Sequence, residues 1–137
     1  MIYAVDFDGT LAETDYPRII APKIDMINAL KMLSTLDNTI ILNTCRHGEE
    51  LNEAVAWCKE QGLIFDYINE NAPEMIEKYG DCRKIYADFY IDDHNITFEE
   101  FKNFAIIETV EDEYRPQTPT QKSWLYCSLE EVIDSAE

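Results

Sequence analysis

Apolar and polar residues along this chain fall into short blocks with different rhythms. Ile2 to Val5 is a mostly apolar run of strand length that stops at Asp6. Leu11 to Pro22 keeps no period and carries Pro17 and Pro22, which predicts a loop. From Lys23 to Leu36 the residues Ile24, Ile27, Leu30, Met32, Leu33 and Leu36 recur at helical spacing, and Asp37-Asn38 predicts a turn. Thr39 to Asn43 (TIILN) is continuous and β-branched, as expected of a strand buried on both faces. Glu49 to Glu60 returns to helical spacing, with Leu51, Ala54, Val55 and Cys58 on one face and Gly62 at the stop.

The second half repeats the alternation. Leu63 to Ile68 predicts a third strand, Pro73 to Tyr79 a short helix closed by Gly80, and Ile85 to Ile91 a fourth strand. Thr97 to Phe101 reads as one helical turn and Phe104 to Val110 as a fifth strand. Glu111 to Thr120 reads as an exposed loop, and Leu129 to Ile133 as a last helix docked on the sheet. Trp57 is expected in the core, and Trp124 and Tyr126 on the sheet or on another subunit. Short strands alternating with helices predict βαβ units, hence an α/β fold with a mainly parallel sheet between helical layers. With 137 residues, 46% of them hydrophobic, one core suffices. A single domain over 1–137 is expected, with an extra C-terminal segment from about 111 to 137.

Charge narrows the partners. The chain has 28 acidic residues against 11 Lys and Arg, a formal net charge of -17. Such a surface repels nucleic acid and anionic membranes, so neither is expected as a partner. An anionic substrate would need a metal ion or a local basic pocket. Cys45, Cys58, Cys82 and Cys127 form no CxxC pair, and neither His stands at zinc-site spacing to them. They read as reduced thiols. The first residues carry no signal-peptide pattern and no apolar run reaches membrane-spanning length, so a cytoplasmic protein is expected.

In open α/β sheets, ligands bind beyond the carboxyl ends of the strands. The first strand runs into Asp6, Asp8 and Thr10. The second runs into Thr44, Arg46 and His47, and the fourth into Asp92, Asp93, His94 and Asn95. Arg83-Lys84 stands just before the fourth. Four carboxylates at one sheet edge raise each other's pKa, a cost that a divalent cation removes, and an oxygen-rich site suits Mg²⁺. A carboxylate can attack phosphorus, a second acid can protonate the leaving oxygen, and a hydroxyl and an ammonium can bind the phosphoryl oxygens. Asp6, Asp8, Thr44 and Lys84 with Mg²⁺ supply that set. Thr10 either caps local amides or touches the site. Arg46 and His47 either bind substrate phosphate or face water.

In this order the segments resemble the haloacid dehalogenase (HAD) superfamily of phosphohydrolases. Asp6-Phe7-Asp8-Gly9-Thr10 is similar to its DxDGT motif, Thr44 to its Ser/Thr motif, Lys84 to its lysine, and Asp92-Asp93 to its acidic motif. The resemblance covers Met1 to about Val110 and is greatest to small members without a cap. It implies a three-layer Rossmann-like fold and Mg²⁺-dependent hydrolysis of a small phosphorylated metabolite. Asp6 would be the nucleophile and Asp8 the acid/base. It also implies that Asp6, the backbone carbonyl of Asp8, and Asp92 or Asp93 hold the metal, Asp93 being favoured. Leu11 to Pro22 is too short for a cap, so the site should be open unless another copy of the chain covers it. Two other readings compete: a phosphoacceptor receiver-like signalling domain, and an inactive HAD-like structural protein. Receiver domains phosphorylate an aspartate at the end of a later strand. Here the second strand ends in Asn43 and the third runs into Asn69.

Overall fold

The computed structural model describes residues 1–113, with the side chains of residues 1–105. The chain divides into two compact units, Met1–Asn95 and Ile96–Glu137. The first unit holds β1 (Ile2–Val5), β2 (Ala12–Asp15), β3 (Arg18–Pro22), α1 (Ile24–Thr35), β4 (Thr39–Leu42), α2 (Gly48–Glu60), β5 (Tyr67–Ile68), α3 (Pro73–Tyr79) and β6 (Phe89–Ile91). Four strands form one parallel sheet in the order β5-β4-β1-β6, with Val5 opposite Leu42 on one side and Ile91 on the other.

Connections between parallel strands of one sheet are right-handed, so reversing the direction of travel moves the helix to the other face. From β1 the chain steps outward to β4 and β5 through α1 and α2. It then returns past β1 to β6 through α3. Two cores follow. Val5, Ile40 and Leu42 face Ile27 and Leu30 of α1 and Ala54 and Cys58 of α2. Ile2, Ala4 and Ile41 face Ala72, Ile85 and Ala87, with Met75 of α3 packed against them. Alternate residues of one strand thus feed opposite cores, which is why TIIL is apolar throughout. The result is a three-layer, Rossmann-like α/β fold with no cap domain in this unit.

Leu11 to Pro22 is not a loop. β2 and β3 form an antiparallel hairpin with an irregularity between Glu13 and Thr14. Pro17 sits at its turn and Pro22 ends its second strand, positions where a missing N–H costs nothing. The third and fourth strands are shorter than the apolar runs suggest, because an aspartate opens each. Asp66 accepts the Ile40 N–H on its carboxylate (2.8 Å) while its own N–H donates to Ile40 O (2.9 Å). Asp88 does the same with Ile2, at 2.7 and 2.8 Å. Each carboxylate takes the place of a ladder carbonyl, so Leu63 and Ile85 are buried outside any strand.

In the second unit, Phe104 to Val110 is helical and not a fifth strand, forming part of α4 (Phe98–Glu113). The Thr97 hydroxyl accepts from Glu100 N–H (3.2 Å), and Glu100 accepts from Thr97 N–H (2.9 Å), a reciprocal cap that starts the helix. A nucleated helix propagates cheaply through the β-branched stretch that follows. The single turn expected over Thr97 to Phe101 is its beginning. The start of the expected Glu111–Thr120 loop, residues 111–113, is the end of this helix and not a loop; the rest of it, the Leu129–Ile133 helix, Trp124 and Tyr126 lie outside the described residues. No helix among the described residues is long and apolar enough to cross a membrane.

Candidate active site

The order of strands reverses between β1 and β6, and the crevice beyond their carboxyl ends is where an open α/β sheet binds ligands. Asp6 N–H still pairs with Ile91 O (2.9 Å), so the next residues of both strands emerge side by side. The chain then leaves β1 by a tight turn. Phe7 O accepts from Thr10 N (3.2 Å) and Leu11 N (2.9 Å), and fully buried Phe7 and Leu11 anchor the turn in the core. Gly9 holds φ +79°, and a Cβ on it would lie 2.1 Å from Asp93 Oδ2. Only glycine permits both the turn and the approach of the second strand's acid.

One hydroxyl stitches the two strand ends together. Buried Thr10 donates through Oγ1 to Asp6 Oδ2 (3.2 Å) and accepts from Asp93 N–H (3.0 Å). Asp6, Asp92 and Asp93 each bring a carboxylate oxygen to within 4.8 Å of the others. Burial, together with the charges of Asp92 and Asp93, pushes the Asp6 carboxyl up to about 6, against the lowering effect of its bonds to Phe7 N–H and Thr10. Hard oxygen donors converging with uncompensated negative charge fit a divalent cation of the Mg²⁺ type. His94 Nε2 lies 3.7 Å from Asp93 on the exposed rim.

Asp8 is absent from that cluster. Its two oxygens accept from Arg46 Nε (2.8 Å) and Nη2 (2.7 Å) in a bidentate fork. Burial pushes the Asp8 carboxyl up, but the bonds from Arg46 and from Thr14 outweigh it and hold the group below the ordinary carboxylate range. Arg46 reaches it from the loop after β4. There the Thr44 hydroxyl accepts from Arg46 N–H (3.1 Å), and Asn69, at the end of β5, accepts from Thr44 N–H (2.8 Å).

Asp6, Asp92, Asp93 and Thr10 are therefore brought together, and Asp8 and Arg46 form an adjoining pair. Arg46 is wholly buried, with its fork committed to a carboxylate, and does not present itself to a substrate phosphate. His47 is exposed at the start of α2. Lys84 is exposed with its ammonium over the Tyr90 ring, 5.1 Å from the centroid. It borders an open cavity of about 290 Å³ with Asn71, Met75, Tyr79 and Tyr86, and the structure does not join it to Asp6. Arg18 pairs with Asp15 on the surface. The sequence did not single out Thr14 or Asn69 as site residues. A polar residue directly after the third parallel strand was the available signal for Asn69, whereas Thr14 lay in a segment read as loop.

No family model matches the chain, and no curated protein matches it. Among solved structures, a conserved protein from Bacteroides thetaiotaomicron is similar at 39% identity with a TM-score of 0.63, covering 85% of this chain and 98% of that one. The chain belongs to the same family as that conserved Bacteroides protein.

Proposed function

We propose that the protein is a Mg²⁺-dependent phosphomonoester hydrolase of the HAD type that works through an aspartyl-phosphate on Asp6. The observation that carries this reading is the convergence of Asp6, Asp92 and Asp93 within 4.8 Å at the sheet's switch point, with a further carboxylate, Asp8, held separately beside it. Asp6, Asp92 and Asp93 would hold the cation. When bound, Mg²⁺ supplies charge neutralisation between carboxylate and phosphate.

The chain's own residues then divide the work. Asp6 is partly buried, and its remaining Oδ attacks phosphorus while the bond to the leaving oxygen breaks. Thr10 keeps the other oxygen, Oδ2, in place. Because Arg46 holds Asp8 ionised at rest, Asp8 first takes the proton that the monoanionic phosphate ester carries and passes it to the leaving oxygen. A water then returns a proton to Asp8 and attacks phosphorus, the Asp6–phosphorus link breaks, and inorganic phosphate leaves. Thr44 can donate its hydroxyl proton to a phosphoryl oxygen, since its Oγ1 is engaged only as an acceptor from Arg46 N–H. Held ionised by Arg46, Asp8 rests in the form that the water step needs. Small phosphorylated metabolites suit the open crevice.

Hydrolysis of para-nitrophenyl phosphate tests the reading directly. Wild type should turn over with Mg²⁺ and stop with chelator, and Asp6→Asn should be inactive. Equal activity of the two proteins would sink the assignment. A phosphorylated form that persists after acetyl phosphate treatment would favour a signalling phosphoacceptor instead.

A further inference from the structure

Arg46 is the one charged side chain among the described residues that is buried. Its guanidinium lies between two rings, 4.9 Å from the Phe7 centroid and 5.1 Å from that of Tyr16. Nε and Nη2 grip both oxygens of Asp8, Nη2 also donates to Pro17 O (3.0 Å), and Nη1 donates to Glu50 O (3.4 Å). It therefore touches the turn after β1, the tip of the β2–β3 hairpin and the first turn of α2. A buried ion pair is a poor way to gain stability, because apolar side chains of the same volume serve as well or better. What it does supply is a fixed geometry.

We propose that Arg46 is the positioning residue for the acid/base carboxylate of Asp8, locking it in one orientation and coupling that orientation to the hairpin tip at Tyr16-Pro17. The inference rests on the phosphatase reading above. Asp8 stands on a tight turn, and the bidentate fork of Arg46 is the grip that engages both of its oxygens. A proton donor must come within about 3 Å of the leaving oxygen, and a misplacement of about 1 Å can cost a hundredfold. A carboxylate has about four lone-pair sites; the fork takes two and Thr14 a third, and the Asp8 backbone N–H also points at it, so its orientation is closely fixed. Lysine could keep the charge but neither the fork nor the stacking.

The test is the dependence of rate on leaving group, which a merely structural residue would not change. Arg46→Lys is compared with wild type on para-nitrophenyl phosphate, whose leaving group needs no proton, and on ethyl phosphate, whose leaving group does. The kcat on ethyl phosphate should fall about a hundredfold and that on the aryl ester less than about tenfold, with KM little changed. In an Asp8→Asn background the same change should add less than about threefold. Tyr16→Ala, at the exposed hairpin tip, removes one face of the sandwich without touching the charge, so it serves if Arg46→Lys does not fold. It should shift the same ratio in the same direction. Equal losses on both esters, or a raised KM at unchanged kcat, would overturn the positioning role. Wild-type inactivity on every ester would instead overturn the phosphatase reading, and the inference with it.

Discussion

In the crevice between β1 and β6, three carboxylates converge, and one hydroxyl, that of Thr10, bonds the Asp6 carboxylate and the Asp93 backbone. Two residues further along the same turn, a lone carboxylate is gripped by a buried guanidinium. The first arrangement pushes Asp6 up to about 6, through burial and then the neighbouring acids. In the second, burial also acts upward on Asp8, but the Arg46 and Thr14 bonds prevail and hold it low. Identical side chains two residues apart have their proton affinities shifted in opposite directions by their surroundings. Pairs of titratable groups driven apart in this way mark the division of acid, base and nucleophile in many enzymes. The crevice brings three carboxylates together with one hydroxyl donor from Thr10. The Asp8 site contains a cation of its own, Arg46.

The largest expected effect separates the two roles. Asp6→Asn should lower phosphatase turnover by about a thousandfold or more, because an amide cannot take the place of the proposed carboxylate nucleophile. A smaller loss in single-turnover assays would mean that Asp6 is only a metal ligand.

Next comes the wall between the regions. Gly9→Ala forces a Cβ to within 2.1 Å of Asp93 Oδ2 at φ +79°. It should destabilise the fold by about 1–3 kcal/mol and weaken Mg²⁺ binding, read by denaturant titration and calorimetry. Unchanged Mg²⁺ affinity would show that Asp93 is dispensable to the cation.

A pH series on metal-free protein compares the two carboxylates directly. Asp6 has a folded pKa above its unfolded one, so its contribution is fully present below about 3.8 and is lost as pH rises through about 6. After allowance for solvent screening at a half-exposed group, the loss is about 1–2 kcal/mol. Asp8 has the opposite sign: its contribution is present above the unfolded value of 3.8 and is lost as pH falls through its lowered folded value. Wild-type Tm should thus fall relative to that of Asp6→Asn between pH 4 and pH 6, and Mg²⁺ should restore it. Parallel melting curves for the two proteins would remove the electrostatic contrast.

The smallest effect concerns Lys84. While its ammonium stays over Tyr90, Lys84→Ala should change kcat/KM by no more than about fivefold, the scale of exposed-charge contributions. A loss near a hundredfold would place the lysine at the phosphate during turnover.

Much of this was legible in the chain. Periodicity located both long helices of the first unit to within a residue or two, because α1 and α2 each bury one stripe against the same core. It overextended β5 and β6, because Asp66 and Asp88 use side chains to do a backbone's work. It mistook the hairpin for a loop on the strength of two prolines. The run Phe104 to Val110 misled because its composition suits a strand, while the cap at Thr97 and Glu100 had already committed the chain to a helix.

By itself the sequence determined the layered α/β plan, the strand that opens it and the polar groups at the strand ends, since each depends on local spacing and on which faces must be apolar. Only the tertiary structure decided which of those groups meet. Asp6 finds Asp92 and Asp93 across a switch point that separates them by more than eighty residues of chain. Arg46, expected either to bind substrate phosphate or to face water, is buried around Asp8. Lys84 stays with Tyr90. Long-range juxtaposition depends on the order in which strands pair and the face on which each helix returns, and no local pattern of residues carries that information.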